Sequence, residues 1–192
     1  MKSLTDHYYA HYPLAYVERA EKHLQLFDKG ITESLFYAAF ELRTGIESRM
    51  FEGLDALLDA NELPPVNIKN FNPNKVFKKI LEIDENAIQP HTLTFDIQDE
   101  DQTTFIRYTP VTKSLAKDWF DLSKLLHYRF FIDHKDWFVK KSLLHYRDII
   151  ADIAKRLKEA SSGGLDAPPS SFSKWSVRLW ELLNEERKHK IV

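Results

Sequence analysis

From Val111 to Ser162 the chain carries neither glycine nor proline, and inside that stretch one phrase is written twice. Asp118-Trp119-Phe120 with Leu125-Leu126-His127-Tyr128-Arg129 returns eighteen residues later as Asp136-Trp137-Phe138 with Leu143-Leu144-His145-Tyr146-Arg147. On an α-helix eighteen residues make five whole turns, so both copies present the same side chains at the same angle, about 27 Å apart on an unbroken rod. A single helix of about fifty residues is rare in a compact domain. We therefore place a break in the polar run Asp133-His134-Lys135-Asp136, where an aspartate caps a new start and the second helix folds back on the first.

The rest of the chain is punctuated around this segment. Pro13 suits a first helical turn, and Leu14, Val17, Ala20, Leu24 and Phe27 recur at spacings of three and four until Asp28-Lys29-Gly30. Thr32 is the expected cap of a longer second helix, striped by Leu35, Ala39, Leu42, Ile46, Met50, Leu54 and Leu57 and running to about Ala60. Its centre mixes the small Ala38, Ala39, Thr44, Gly45 and Gly53 with the charged Glu41, Arg43, Glu47, Arg49 and Glu52. That mixture reads as close helix packing beside ion pairs such as Arg43 with Glu47.

Pro64, Pro65, Pro73 and Pro90 mark an irregular connection over 61–90, with a short helix from Pro73 to Ile83 capped by Asn72. From Thr92 the period changes to two, predicting a β-hairpin over about 92–109. Its acidic tip, with Asp96, Asp99, Glu100 and Asp101, lacks the glycine of a calcium loop and reads as a solvated turn. Residues 161–171, with two glycines and two prolines, form a flexible connection to an amphipathic helix within 172–192 that carries Trp175, Leu179, Leu182 and Leu183. The fold class is thus mainly α: a helical bundle over 1–160 with one inserted β-hairpin and a tethered C-terminal helix that packs on the body or on a partner.

Composition removes several kinds of chemistry. With no cysteine there is no disulfide, thiolate metal site or cysteine nucleophile, and a reducing, cytoplasmic setting is the expectation. A net charge of -2 provides no global attraction to phosphate, so any RNA contact has to come from a local basic patch. No run approaches the roughly 18 apolar residues that span a bilayer, and no membrane partner is expected. Glycine-rich phosphate loops, serine-nucleophile elbows and zinc-protease signatures are all missing from the sequence, and no cofactor is called for. His127, His134 and His145 would share one face of a continuous helix, but rises of about 10 and 16 Å are too long for one zinc. Folding back at residues 133–135 puts His127 opposite residues 139–140, so the two repeated histidines miss each other and no metal site is expected.

Arg129-Phe130-Phe131-Ile132-Asp133-His134, an arginine, four residues and a histidine, resembles the short motif of the HEPN family, helical domains of RNA-targeting toxins and defence proteins. The Pro13 helix followed by Ser34-Leu35-Phe36-Tyr37-Ala38-Ala39-Phe40-Glu41-Leu42-Arg43 resembles the paired first helices of those bundles. The resemblance implies metal-independent RNA cleavage by a dimer, with Arg129 on the phosphate and His134 moving a proton. These two are the candidate catalytic residues. His127, His145, Arg147, Lys140 and Lys141 are the candidate binding residues. The leading functional expectation is a helical binding or assembly module that associates with itself or with a protein partner through its helices; a HEPN-like ribonuclease and a non-catalytic RNA-binding module are the alternatives.

Overall fold

The computed structural model describes residues 12–66, 71–96, 103–127 and 140–163, with 91–96, 103–108 and 140–141 described by their backbone. The protein is mainly helical. Helix α1 (Pro13–Asp28) begins on Pro13, whose missing N–H costs nothing in a first turn. It ends where Gly30 takes a left-handed φ of 96°. Helix α2 (Ser34–Ala60) buries all seven residues of its expected stripe to 1% exposure or less. Thr32 is not its cap: no side chain caps the start, and the Leu35 and Phe36 N–H groups donate to the Thr32 and Glu33 carbonyls instead.

Helix α3 (Pro73–Ile83) is capped by Asn72, whose side chain accepts from the N–H groups of Asn74 and Lys75 at 3.1 and 3.2 Å. A short 3-10 turn, Glu85–Ile88, leads to β1 (His91–Asp96) and β2 (Thr103–Tyr108). They pair antiparallel with His91 opposite Tyr108 and Asp96 opposite Thr103. The acidic connection at 97–102 lies outside the described residues.

The repeat segment divides into α4 (Lys113–Leu126) and α5 (Lys140–Ala160). Helix α4 ends earlier than the Asp133 break would put it. His127 is extended at ψ 134°, and its N–H closes the last turn on the Lys124 carbonyl at 3.2 Å. The expected break at 133–136 itself, like residues 164–192 with the connection and the amphipathic segment, lies outside the described residues.

Pairs of contacting residues set the helix directions. Arg19 meets Glu41, and His23 meets Tyr37, so α1 and α2 are antiparallel. Arg43 meets Ser123, and Glu47 meets Trp119, so α2 and α4 are antiparallel too. Arg156 meets Asp118 on α4, whereas Arg49 meets Ala160, so α5 runs against α4 and along α2. The four long helices therefore alternate up and down, with α1 and α4 each packed against both α2 and α5. Leu42, Ile46, Met50, Leu115, Leu122, Ile150, Ile153 and Leu157 fill the space between them.

Helix α2 comes unusually close to its neighbours at Gly45. A Cβ there would sit 2.8 Å from Tyr16 Cβ and 2.9 Å from a Leu157 methyl, and the Tyr16 atom lies too near its backbone to swing away. Alanine at a helical glycine gains about 1 kcal/mol of helix propensity, but overpacking of this kind costs about 1–3 kcal/mol. Gly45→Ala is thus expected to lower the urea midpoint without changing the slope; an unchanged or raised midpoint would show that α1 and α5 can retreat.

Candidate functional site

The two copies of the repeat meet across the seam between α4 and α5. Leu125 of the first copy and His145 and Tyr146 of the second line one groove of about 290 Å³, together with Asp121, Leu122, Lys124, Ile149 and Ile150. Its floor is aliphatic, made by Leu122, Leu125, Ile149 and Ile150. Its rim is polar, with Lys124 Nζ paired to Asp121 at 3.0 Å. Both histidines of the repeat are exposed, and His145 rests against the Tyr146 ring at 5.6 Å. Burial pushes the Tyr146 hydroxyl above its ordinary pKa, so it stays a neutral donor at any physiological pH.

This register corrects the expected fold-back. Asp118 lies level with Arg156, and Leu125 with Tyr146, which brings His127 level with the turn carrying Leu144 and His145 rather than with residues 139–140. Helix α4 ends at Leu126, short of the expected break, and residues 128–139 lie outside the described residues. Only His145 reaches the groove wall.

Arg147, two residues on, points elsewhere. Its Nε and Nη2 donate to the two carboxylate oxygens of Asp28 on α1 at 3.1 and 2.8 Å. Lys140 and Lys141 open α5. Arg129 and His134 lie outside the described residues.

Three further ties seat α5, and the residues that make them were not singled out as sites in the sequence. Arg156 forms a two-pronged pair with Asp118 at 2.8 and 2.9 Å, and Lys158 reaches Glu21 at 3.0 Å. Arg49, only 3% exposed, donates from Nε to the Ala160 carbonyl and from Nη2 to the Thr109 carbonyl, both at 2.7 Å. Its Nη1 reaches Glu52 at 3.3 Å. A cavity of about 150 Å³ beside this cluster is lined by Tyr12, Glu52, Ser161 and Gly163, and the buried Ser161 hydroxyl has no hydrogen-bond partner there. The signal that could have found Arg49 was its place between Gly45 and Gly53, one turn from each on the same face.

The groove joins an aliphatic floor, one imidazole, one phenol and one charge of each sign. Among the described residues no group of three His, Asp or Glu side chains could hold a metal ion, and no helix is long and apolar enough to cross a membrane.

Two of the carboxylates that hold α5, Asp28 and Asp118, should respond differently to mutation. The Arg147 hydrogen bond holds the Asp28 carboxyl below its ordinary pKa. A group depressed on folding contributes stability above its unfolded pKa and loses it as pH falls through the folded value, so this contribution disappears below about pH 4. Asp28 is 45% exposed, and Asp28→Ala is expected to cost well under about 1 kcal/mol at pH 7. Asp118 is only 9% exposed and accepts both arms of Arg156, so Asp118→Ala should cost about 2 kcal/mol. Urea denaturation at pH 7 and pH 3 checks both, and equal losses at pH 7 would contradict the ranking. No family model, no curated protein and no solved structure matches this chain, so its geometry has to carry the functional reading.

Proposed function

We propose that this chain is a helical binding and assembly module that associates with a second copy of itself through the α4–α5 groove. The observation that carries the reading is the groove's composition: an open aliphatic floor between two copies of one phrase, rimmed by Asp121 and Lys124. A two-fold contact sets the same patch against itself, and a rim with one carboxylate and one ammonium is complementary to its own copy. Leu144, 46% exposed beside His145, adds apolar surface at the edge. Such interfaces draw their energy from a few desolvated apolar anchors, with the charged rim choosing the partner.

Sedimentation of the full chain across a concentration series tests this. Leu144→Asp with His145→Asp places two carboxylates at exposed positions of the groove edge, leaving the core untouched. It is expected to raise the dissociation constant at least about tenfold, or about 1.4 kcal/mol. Loss of residues 165–192 is expected to change association or solubility. If the chain is monomeric throughout and neither change alters sedimentation, the reading fails.

A second reading is metal-independent RNA cleavage by a HEPN-like dimer. It is supported by the sequence Arg129-Phe130-Phe131-Ile132-Asp133-His134, which lies between the antiparallel helices α4 and α5 and close in sequence to Lys140-Lys141. Arg129→Ala and His134→Ala are each expected to abolish cleavage of single-stranded RNA. Undiminished cleavage by both variants ends this reading, while salt-sensitive RNA affinity without cleavage would mark a binding module.

A further inference from the structure

Helix α2 carries a second apolar seam on its outer side. Tyr37, Phe40, Thr44 and Phe51 stand at i, i+3, i+7 and i+14, the spacing with which one helix packs along another in a coiled coil. At the far end of the seam Phe51 packs on the Phe71 ring at 5.2 Å. At the near end Tyr37 and Phe40 are 57% and 53% exposed. The Tyr37 ring rests on His23 of α1 at 5.4 Å, and Leu26, 37% exposed, follows His23 by about one turn, so the strip crosses from one helix to the other. Large apolar side chains bare in a contiguous strip mark an interaction surface, whereas scattered ones do not.

Two contacts fix how α1 lies along α2. Arg19 donates to Glu41, and His23, four residues further on, meets Tyr37, four residues further back. Phe40 is therefore level with Ala20, and the exposed Glu18 and Lys22 lie to either side of that level, each about 3 Å along the axis. They are opposite charges one turn apart on an exposed ridge of α1 that continues to Leu26.

We propose that this strip binds the same strip of a second copy, about a two-fold axis that crosses the helices at the level of Phe40. Such an axis sets Phe40 on its own copy and lays α1 on α1 and α2 on α2, each antiparallel. It brings Glu18 level with Lys22 of the partner subunit and Lys22 level with Glu18 of the partner subunit. The charge order on α1 is thus complementary to its own reverse, and two matched pairs flank one apolar centre. This contact is separate from the α4–α5 groove, which lies on the opposite side of the bundle. With the groove contact proposed above, two-fold contacts on both sides join copies into an open row instead of closing at a dimer.

Sedimentation of the full chain over a concentration series separates the two contacts. The unchanged chain is expected to grow beyond the dimer. Tyr37→Ser with Phe40→Ser changes only exposed positions; it is expected to keep the circular dichroism and to stop at the dimer. Leu144→Asp with His145→Asp is also expected to stop at the dimer, and all four changes together to give a monomer. In the groove variant, Glu18→Lys is expected to weaken the remaining dimer about fivefold, and Lys22→Glu added to it to restore the affinity by exchanging the two charges. A groove variant that sediments like the unchanged chain would refute the groove and leave the strip as the contact that Tyr37→Ser with Phe40→Ser removes. A groove variant that is already monomeric, or a strip variant that sediments like the unchanged chain, would overturn the strip contact. Failure of the charge exchange to restore affinity would overturn the two-fold register at Phe40.

Discussion

Arg49 holds together three pieces of chain that lie far apart in sequence. Its guanidinium links α2 to the last carbonyl of α5 and to the carbonyl of Thr109, where the chain leaves β2 for α4. The Ala160 carbonyl is one of the acceptors that a helix C-terminus leaves without an internal partner, and the helix dipole makes it favour a cation. Thr109 reinforces the joint, donating its hydroxyl to the same carbonyl at 3.0 Å and accepting the Gly163 N–H. A lysine could not divide itself between two carbonyls in this way, because its ammonium lacks the planar fork. The arrangement also avoids burying a second charge, since Glu52 sits 42% exposed at the edge.

The joint depends on the two glycines that flank it. Gly45, Arg49 and Gly53 lie four residues apart along one ridge of α2. A Cβ at Gly53 would meet a Val111 methyl at 2.8 Å, as one at Gly45 would meet Tyr16 and Leu157. The missing side chains let α5 and the β2–α4 connection approach α2 closely enough for one guanidinium to reach both carbonyls. The close packing and the ion pairs that the sequence suggests for this mixture of small and charged residues are therefore parts of one device, with its packing half and its polar half interleaved.

Much of the bundle is visible in the pattern of residues, and the parts that are not share a cause. The stripes of α1 and α2, the first-turn Pro13 and the Asn72 cap are local, and local rules find them. Arg43 with Glu47 is local too, and forms at 3.3 Å. Apart from the glycines that flank it, nothing local distinguishes Arg49 from Arg43, because burial is conferred by α5, more than a hundred residues away. Thr32 had the right chemistry for a cap but the helix took backbone partners. At the candidate site the sequence shows the repeat but not the separation of His145 from Arg147, because the pairing of Arg147 with Asp28 depends on α1, more than a hundred residues away.

The seams of the bundle are closed unequally, and that inequality bears most on function. Between α1 and α5 the ion pairs Asp28–Arg147 and Glu21–Lys158 span the contact. Between α2 and α4, Trp119 donates to Glu47 at 2.8 Å, Arg43 lies over the Trp119 ring, and Phe71 packs on its other side. The α4–α5 seam is tied at one end by Asp118–Arg156 and opens at the other into the groove. The α1–α2 seam is tied by Arg19–Glu41 and carries the exposed aromatic strip toward its turn. Because α1 and α4 each pack against both α2 and α5, these two incompletely covered seams face opposite sides of the molecule.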